Sequence, residues 1–284
     1  MKLALAQLEI ESGAVETNRE RAVDAVAEAA DRGADLVALP EIFNVGYFAF
    51  GSYQRAAEPI DGPTLSAISD AASEHDIGVL AGSIVEDLAE TESVPTPADE
   101  GLANTSVLFD RDGSRLAFYR KHHLFGYESA EAQMLVPGER LGIAAFEVTA
   151  EGASASDRTP ERSVNATVGM TTCYDLRFPE LYRDIAAAGA DLILVPSAWP
   201  YPRVEHWKLL PRARAVENQL FVAAINGSGS ADDATLLGRS TVYDPWGTAL
   251  ASTGDDPDIV TTDADLGRVE RVREEFPAWH DRRR

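Results

Sequence analysis

Two stretches of this chain share one pattern, a continuous apolar run closed by proline: Asp35-Leu36-Val37-Ala38-Leu39-Pro40 and Leu192-Ile193-Leu194-Val195-Pro196. Runs this short that do not alternate with polar residues read as strands buried on both faces, which requires a sheet with layers on either side. Amphipathic stretches separate such runs. Asn18 to Ala30 sets Ala22, Val23, Val26, Ala27 and Ala30 on one helical face, and further helices are expected over Thr64 to His75 and Glu205 to Glu217. The alternation confines the chain to the α/β class with many strands.

Other strands are expected at Leu3 to Leu8, Ile77 to Ile84, Thr167 to Thr172 and Leu220 to Asn226. Two hairpins carry turn chemistry between their arms. Asn104 to Phe109 and Arg115 to Arg120 flank Asp110-Arg111-Asp112-Gly113, and Gly238 to Tyr243 and Thr248 to Ser252 flank Asp244-Pro245-Trp246-Gly247. Glu86 to Leu102 and Ala150 to Asn165 are rich in Ala, Ser, Thr, Pro and acids, and read as acidic surface insertions. Neither reads as a linker, because strand signals continue on both sides, so residues 1–284 are expected to form a single domain. The tail from Arg271 ends in Arg282-Arg283-Arg284, which suits either docking on an acidic neighbouring subunit or a solvated end.

Charge narrows the partners. The formal net charge is −22, which excludes ordinary nucleic-acid binding, because that needs clustered cations on phosphates. Hydrophobic residues at 45% still supply a buried core and argue against disorder. Lysine occurs only at Lys2, Lys121 and Lys208 while the acids are dispersed, a pattern expected of a protein kept hydrated in a high-salt cytoplasm. No apolar run reaches membrane-span length and the N-terminal apolar stretch is too short for a signal peptide, so the expectation is a cytoplasmic protein without a membrane partner. The one cysteine, Cys173, rules out an intrachain disulfide or a Cys-rich zinc site.

Cys173 follows an apolar strand, where α/β sheets place ligands. A lone cysteine often packs as a small hydrophobe, so its company decides. A catalytic thiol needs a base for its proton and a cation for the oxyanion that develops. Glu41, at the end of Leu39-Pro40-Glu41-Ile42-Phe43, sits where desolvation would raise its proton affinity toward that of a general base. Lys121, in Tyr119-Arg120-Lys121-His122-His123-Leu124-Phe125, is a lysine kept among aromatic and apolar neighbours in a chain that has nearly abandoned the residue.

These two fragments, with Cys173-Tyr174-Asp175-Leu176-Arg177-Phe178-Pro179-Glu180, resemble the glutamate, lysine and cysteine motifs of the carbon-nitrogen hydrolase, or nitrilase, superfamily, in the same order. Ala198-Trp199-Pro200 through Gln219 is similar to the segment after the cysteine in its amidase branches, including those acting on omega-amides of 2-oxo acids or deaminated glutathione. The resemblance implies a four-layer α-β-β-α sandwich and a Glu41-Lys121-Cys173 triad with no metal or organic cofactor. The implied reaction is hydrolysis of a small linear amide by water through a thioester, with N-carbamoyl hydrolysis and nitrile hydrolysis as alternatives. It also implies a homodimer, with apolar surface on the helix beginning at Pro179-Glu180-Leu181-Tyr182.

Many relatives carry a second glutamate near the lysine. Counting back from Pro137-Gly138 selects Glu131 and counting forward from Lys121 selects Glu128, and Glu131 is preferred because insertions in this loop more often precede the glutamate. The Tyr174 N–H would share the oxyanion with Lys121. A carboxylate remote from the amide calls for a cation in the pocket, and Arg177 and Arg203 are the candidates, each able instead to pair with a surface acid. Trp199 and Trp207 could wall the pocket, though Trp207 equally suits the helix core. His122 and His123 are assigned to packing or supporting hydrogen bonds, and Gly227-Ser228-Gly229-Ser230 to a loop near the site mouth.

Overall fold

The computed structural model describes residues 1–126, 128–149, 163–231 and 234–283. Its strands are β1 (Lys2–Gln7), β2 (Leu36–Ala38), β3 (Gly78–Asp87), β4 (Leu102–Phe109), β5 (Arg115–Arg120), β6 (Gly142–Thr149), β7 (Ser163–Met170), β8 (Leu192–Ser197), β9 (Phe221–Asn226), β10 (Ser230–Ala231), β11 (Ala234–Thr235), β12 (Thr241–Tyr243), β13 (Ala249–Ser252) and β14 (Asp258–Asp263). The helices are α1 (Val15–Asp31), α2 (Tyr53–Ala56), α3 (Pro63–His75), α4 (Ala130–Met134), α5 (Pro179–Ala187), α6 (Val204–Asn218) and α7 (Gly267–Glu275). Two six-stranded sheets form, in the orders β14-β1-β2-β3-β4-β5 and β13-β12-β9-β8-β7-β6. In each, a parallel centre is flanked by antiparallel strands.

The period-2 geometry of a strand explains the layers. Leu3, Leu5, Leu36, Ala38 and Leu80 point from the first sheet into a core shared with Phe146, Val168, Met170 and Leu194 of the second. The intervening Ala4, Ala6, Val37, Leu39, Val79 and Ala81 pack instead with Ala22, Val26, Leu65 and Ile68 of α1 and α3. Leu181, Tyr182 and Ile185 of α5 and Trp207 and Ala215 of α6 join the second sheet. The result is the expected α-β-β-α sandwich. The two proline-closed runs became β2 and β8, buried throughout.

Several expectations need correction. β6 and β14 were not anticipated. Leu181, Tyr182, Ile185 and Ala186 of α5 are buried within the chain and give it no large apolar surface; large apolar side chains are exposed at Leu209 and Val216 of α6, at Trp246 in the turn after β12, and at Phe125, Leu141, Tyr201 and Phe276. Glu86 to Leu102 is no simple surface insertion. Glu86, near the end of β3, is fully buried and paired with Arg120 at 2.7 Å through both oxygens, and Leu88 and Thr91 are buried as well. Of the second proposed insertion, residues 163–165 already belong to β7, and 150–162 lie outside the described residues. The tail does not begin at Arg271, which is inside α7; beyond it the Trp279 ring contacts Arg183, Arg273 and Arg282.

Candidate active site

Glu41 leaves β2 in a turn where Ile42 takes φ of 44°, a left-handed conformation that a β-branched side chain rarely adopts. β3 holds the turn in place: the Ile42 N–H donates to Ser83 Oγ at 2.7 Å, and the Phe43 N–H to the Ser83 carbonyl at 3.1 Å. Gly82 permits this approach, since a Cβ there would lie 2.0 Å from the Leu39 carbonyl oxygen. The Glu41 carboxylate is thereby buried. Its Oε1 accepts from Lys121 Nζ at 2.8 Å and Asn104 Nδ2 at 2.9 Å, and its Oε2 from the Ala198 N–H at 2.9 Å.

Lys121 follows β5 directly, and its ammonium is buried between two carboxylates. Besides Glu41 it donates to Glu131 Oε1 at 2.8 Å and Oε2 at 3.1 Å. Glu131 enters from the first turn of α4, which Ser129 caps by accepting from the Ala132 N–H. Its carboxylate also accepts from Tyr47 Oη at 2.9 Å, Asn104 Nδ2 at 3.3 Å and the Phe125 N–H at 2.5 Å. Glu128 lies on the loop before α4, at φ of 60°, and is exposed. Of the two glutamates weighed from the sequence, Glu131 is the one that meets Lys121.

Cys173 opens a helical turn, Cys173–Arg177, just after β7, and it too has a left-handed backbone, φ 45°. Asp175 fixes the turn. Its carboxylate accepts from the Thr172 N–H at 2.9 Å, Tyr119 Oη at 2.6 Å, the His123 N–H at 3.0 Å and His123 Nδ1 at 2.7 Å, so the turn bearing the thiol is tied to the strand bearing Lys121. His123 also stacks on Phe178, with ring centroids 3.7 Å apart. His123 has the supporting role expected of it. The Cys173 thiol lies close enough to the Glu41 carboxylate to feel its charge.

Burial pushes the Glu41 carboxyl above its ordinary range, with Lys121 opposing and Glu131 reinforcing the shift. Burial and then the Glu41 charge push the Cys173 thiol well up, so it rests protonated beside an acceptor. Burial alone would lower the Lys121 ammonium, but Glu131 and Glu41 together hold it well above its usual value. The arrangement is therefore a neutral thiol, a carboxylate poised to accept its proton and a permanent cation, the parts required for nucleophilic acyl transfer.

Cys173 opens onto a cavity of about 120 Å³. Tyr47, Phe48, Phe125, Tyr174 and Trp199 make it aromatic, and Ala198 and Pro200 complete the apolar wall. Arg177 and Arg203 also line it. Arg177 lies over the Tyr174 and Trp199 rings at 5.7 and 5.1 Å, and Arg203 over Phe125 at 5.7 Å. Neither pairs with a carboxylate among the described residues. All four residues assigned to substrate from the sequence line this cavity, whereas Trp207 is helix core, donating from Nε1 to the Arg239 carbonyl at 2.8 Å. Gly227 to Ser230 does not line it. That segment bonds to the Leu8 and Ser197 carbonyls and supports the Trp199-Pro200 stretch from behind through Leu236 and Leu237. Sequence reasoning missed Tyr47, Phe48, Phe125 and Asn104.

Fold and site together define a thiol-dependent hydrolase acting on acyl carbon-nitrogen bonds. The family model for carbon-nitrogen hydrolases matches residues 2–274, and the chain belongs to that family. Among curated relatives, omega-amidase NIT2 of Homo sapiens is 37% identical over 99% of this chain and 95% of its own length. A 2-oxoglutaramate amidase of Paenarthrobacter nicotinovorans is 35% identical over 88% of this chain and 79% of its own length. Among solved structures, Nit3 of Saccharomyces cerevisiae, a nitrilase-superfamily member, superposes with a TM-score of 0.80 at 29% identity, covering 98% of this chain and 94% of that one. A glutamate-to-glutamine mutant of an amidase from Nesterenkonia sp. AN1, carrying the acetamide moiety of fluoroacetamide on its active-site cysteine, does so with a TM-score of 0.72 at 25% identity, covering 99% and 97%. The chain is a cysteine-dependent amide hydrolase.

Proposed function

We propose that the substrate is a short linear amide bearing a carboxylate at its far end, an omega-amide of a 2-oxo acid. The observation that carries this reading is the pair of arginines, Arg177 and Arg203, lining an otherwise aromatic cavity with no carboxylate among the described residues to neutralise them. The names of the two curated relatives point the same way. In this reading Glu41 accepts the Cys173 proton as the thiol attacks the amide carbon, and the Lys121 charge and the Tyr174 N–H stabilise the oxyanion. Glu41 then returns the proton to departing ammonia and later activates the water that cleaves the thioester. Glu131, with Lys121, Tyr47, Phe125 and Asn104 all donating to it, has no oxygen free for proton transfer and acts as a fixed anion orienting Lys121.

The enzyme works as one domain paired in a homodimer, through the exposed apolar residues of α6 and the turn after β12, in a salt-rich cytoplasm that suits its net charge of −22. Among the described residues no helix is long and apolar enough to cross a membrane. The test is a panel of omega-amides of 2-oxo acids, uncharged amides of equal length and N-carbamoyl compounds, assayed for ammonia and carbon dioxide at high salt. Ammonia alone, with kcat/KM highest for the carboxylate-bearing amides, is expected. Equal rates on uncharged amides, or carbon dioxide release, would overturn the substrate assignment.

A further inference from the structure

Asn104 lies on β4, in the polar triplet Asn104-Thr105-Ser106 of a strand buried along its whole length. Three consecutive polar side chains in such a strand need partners on both faces. Thr105 turns one way, donating to Glu86 Oε2 at 2.6 Å. Asn104 turns toward the hydrolytic site, where one nitrogen, Nδ2, reaches Glu41 Oε1 at 2.9 Å and Glu131 Oε1 at 3.3 Å. Its Oδ1 is buried without a protein hydrogen-bond partner. That asymmetry fixes the orientation of the carboxamide, because a flipped amide would aim its oxygen at two anions. It also says which end matters: leaving a buried acceptor unpaired is costly, and is tolerable only if the donor end returns more.

What the donor end offers is a bridge between like charges. Glu41 and Glu131 share one ammonium, so the buried cluster is formally one negative charge in excess. The other groups facing it are the Cys173 thiol and the Tyr47 and Tyr53 phenols, none of them cationic. The only polarised hydrogens shared by both carboxylates belong to Lys121 and Asn104, among the described residues. We propose that Asn104 is a positioning residue of the hydrolytic reaction, its carboxamide bridging Glu41 and Glu131 so that the general base stays anionic and aligned on Cys173. It touches no reacting atom. Its main-chain carbonyl accepts from the Lys121 N–H at 2.9 Å, a contact that substitution of the side chain leaves in place.

The inference rests on the Glu41-Lys121-Cys173 reading, and the experiment separates the two. Asn104→Leu keeps the bulk and removes the donor; Asn104→Asp keeps the shape and adds a third acid, and is the second variant should the first not fold. In either folded variant the acid limb of the kcat/KM profile is expected to move up by roughly one pH unit, as the carboxylate pair gains proton affinity. At a fixed pH on that limb this is about a tenfold loss. Ser106→Ala removes a buried hydroxyl on the same strand and the same face, and should lower the melting temperature while leaving the limb where it was. An unmoved limb in folded Asn104 variants, while alkylation of Cys173 still abolishes activity, overturns the role of Asn104 alone. Activity that survives alkylation overturns the triad reading itself.

Discussion

The buried cluster of Glu41, Lys121 and Glu131 and the arginine pair Arg177 and Arg203 both bring charge to the cavity, and they do so in opposite ways. In the cluster every charged group is desolvated and hydrogen-bonded by the protein itself, two carboxylates about one ammonium. The arginines are half-buried, rest on aromatic faces and have no carboxylate partner among the described residues. Removing one member of a buried, matched set strands the others, so its cost is large and falls on turnover. An unmatched cation held on a ring waits for a charge that arrives with the ligand, and its loss should fall on affinity. The same cavity thus separates chemistry from selection.

The contrast can be broken experimentally, beginning with the largest effect. Cys173→Ala should abolish ammonia release while folding normally, and iodoacetamide should label the wild-type thiol and remove activity in step. Residual turnover in the Ala variant at more than background would deny the nucleophile. Lys121→Ala should lower kcat by roughly 10²-fold or more, the scale of losing one oxyanion donor. Lys121→Arg should recover little of it, because a planar guanidinium cannot enter the 2.8 Å contacts with both carboxylates. An active Arg variant would place the cluster's cation outside the chemistry.

A smaller effect is expected from the arginines. Arg177→Ala or Arg203→Ala should raise KM about tenfold or more for a carboxylate-bearing amide, in line with the ~1.5–3 kcal/mol of a charge-assisted hydrogen bond, and should leave uncharged amides untouched. Loss of kcat on both substrate types would erase the division between cluster and wall. The smallest effect is the shallow gain in melting temperature expected as potassium chloride is raised and self-repulsion of the −22 chain is screened. A melting temperature that falls with salt would remove the salt-rich habitat.

The same division governs what could be read before the structure. Glu41, Lys121 and Cys173 sit in contiguous motifs because each must end a strand at a set distance from a fixed turn, and the structure brings them together. The sheets were legible because β2 and β8 are short apolar runs buried on both faces. β14 was not: its residues Asp258–Asp263 carry acids and threonines on an edge strand, with little apolar pattern to see. The wall was legible only in part. Trp199, Tyr174 and the arginines stand beside motif residues, but Tyr47 and Phe125 come from irregular loops where no periodicity marks the inward side chain. Asn104 carried a readable signal, a polar triplet inside an apolar strand, that only topology could connect to two distant glutamates.

Catalysis of this kind depends on Glu41 as the base that takes the Cys173 proton. Burial raises its proton affinity, so activity should fall as pH drops through a limb above the ordinary carboxylate range, where Glu41 becomes protonated and can no longer accept. Glu41→Gln preserves the shape and the hydrogen bond that the Ala198 N–H donates, but it cannot take a proton. The decisive measurement is stopped-flow acylation of this variant across pH under single-turnover conditions. The variant should fold, form no acyl-enzyme at a useful rate and show no acid limb. Fast acylation with the limb intact would contradict that role, leaving Glu41 as no more than a counter-ion for Lys121.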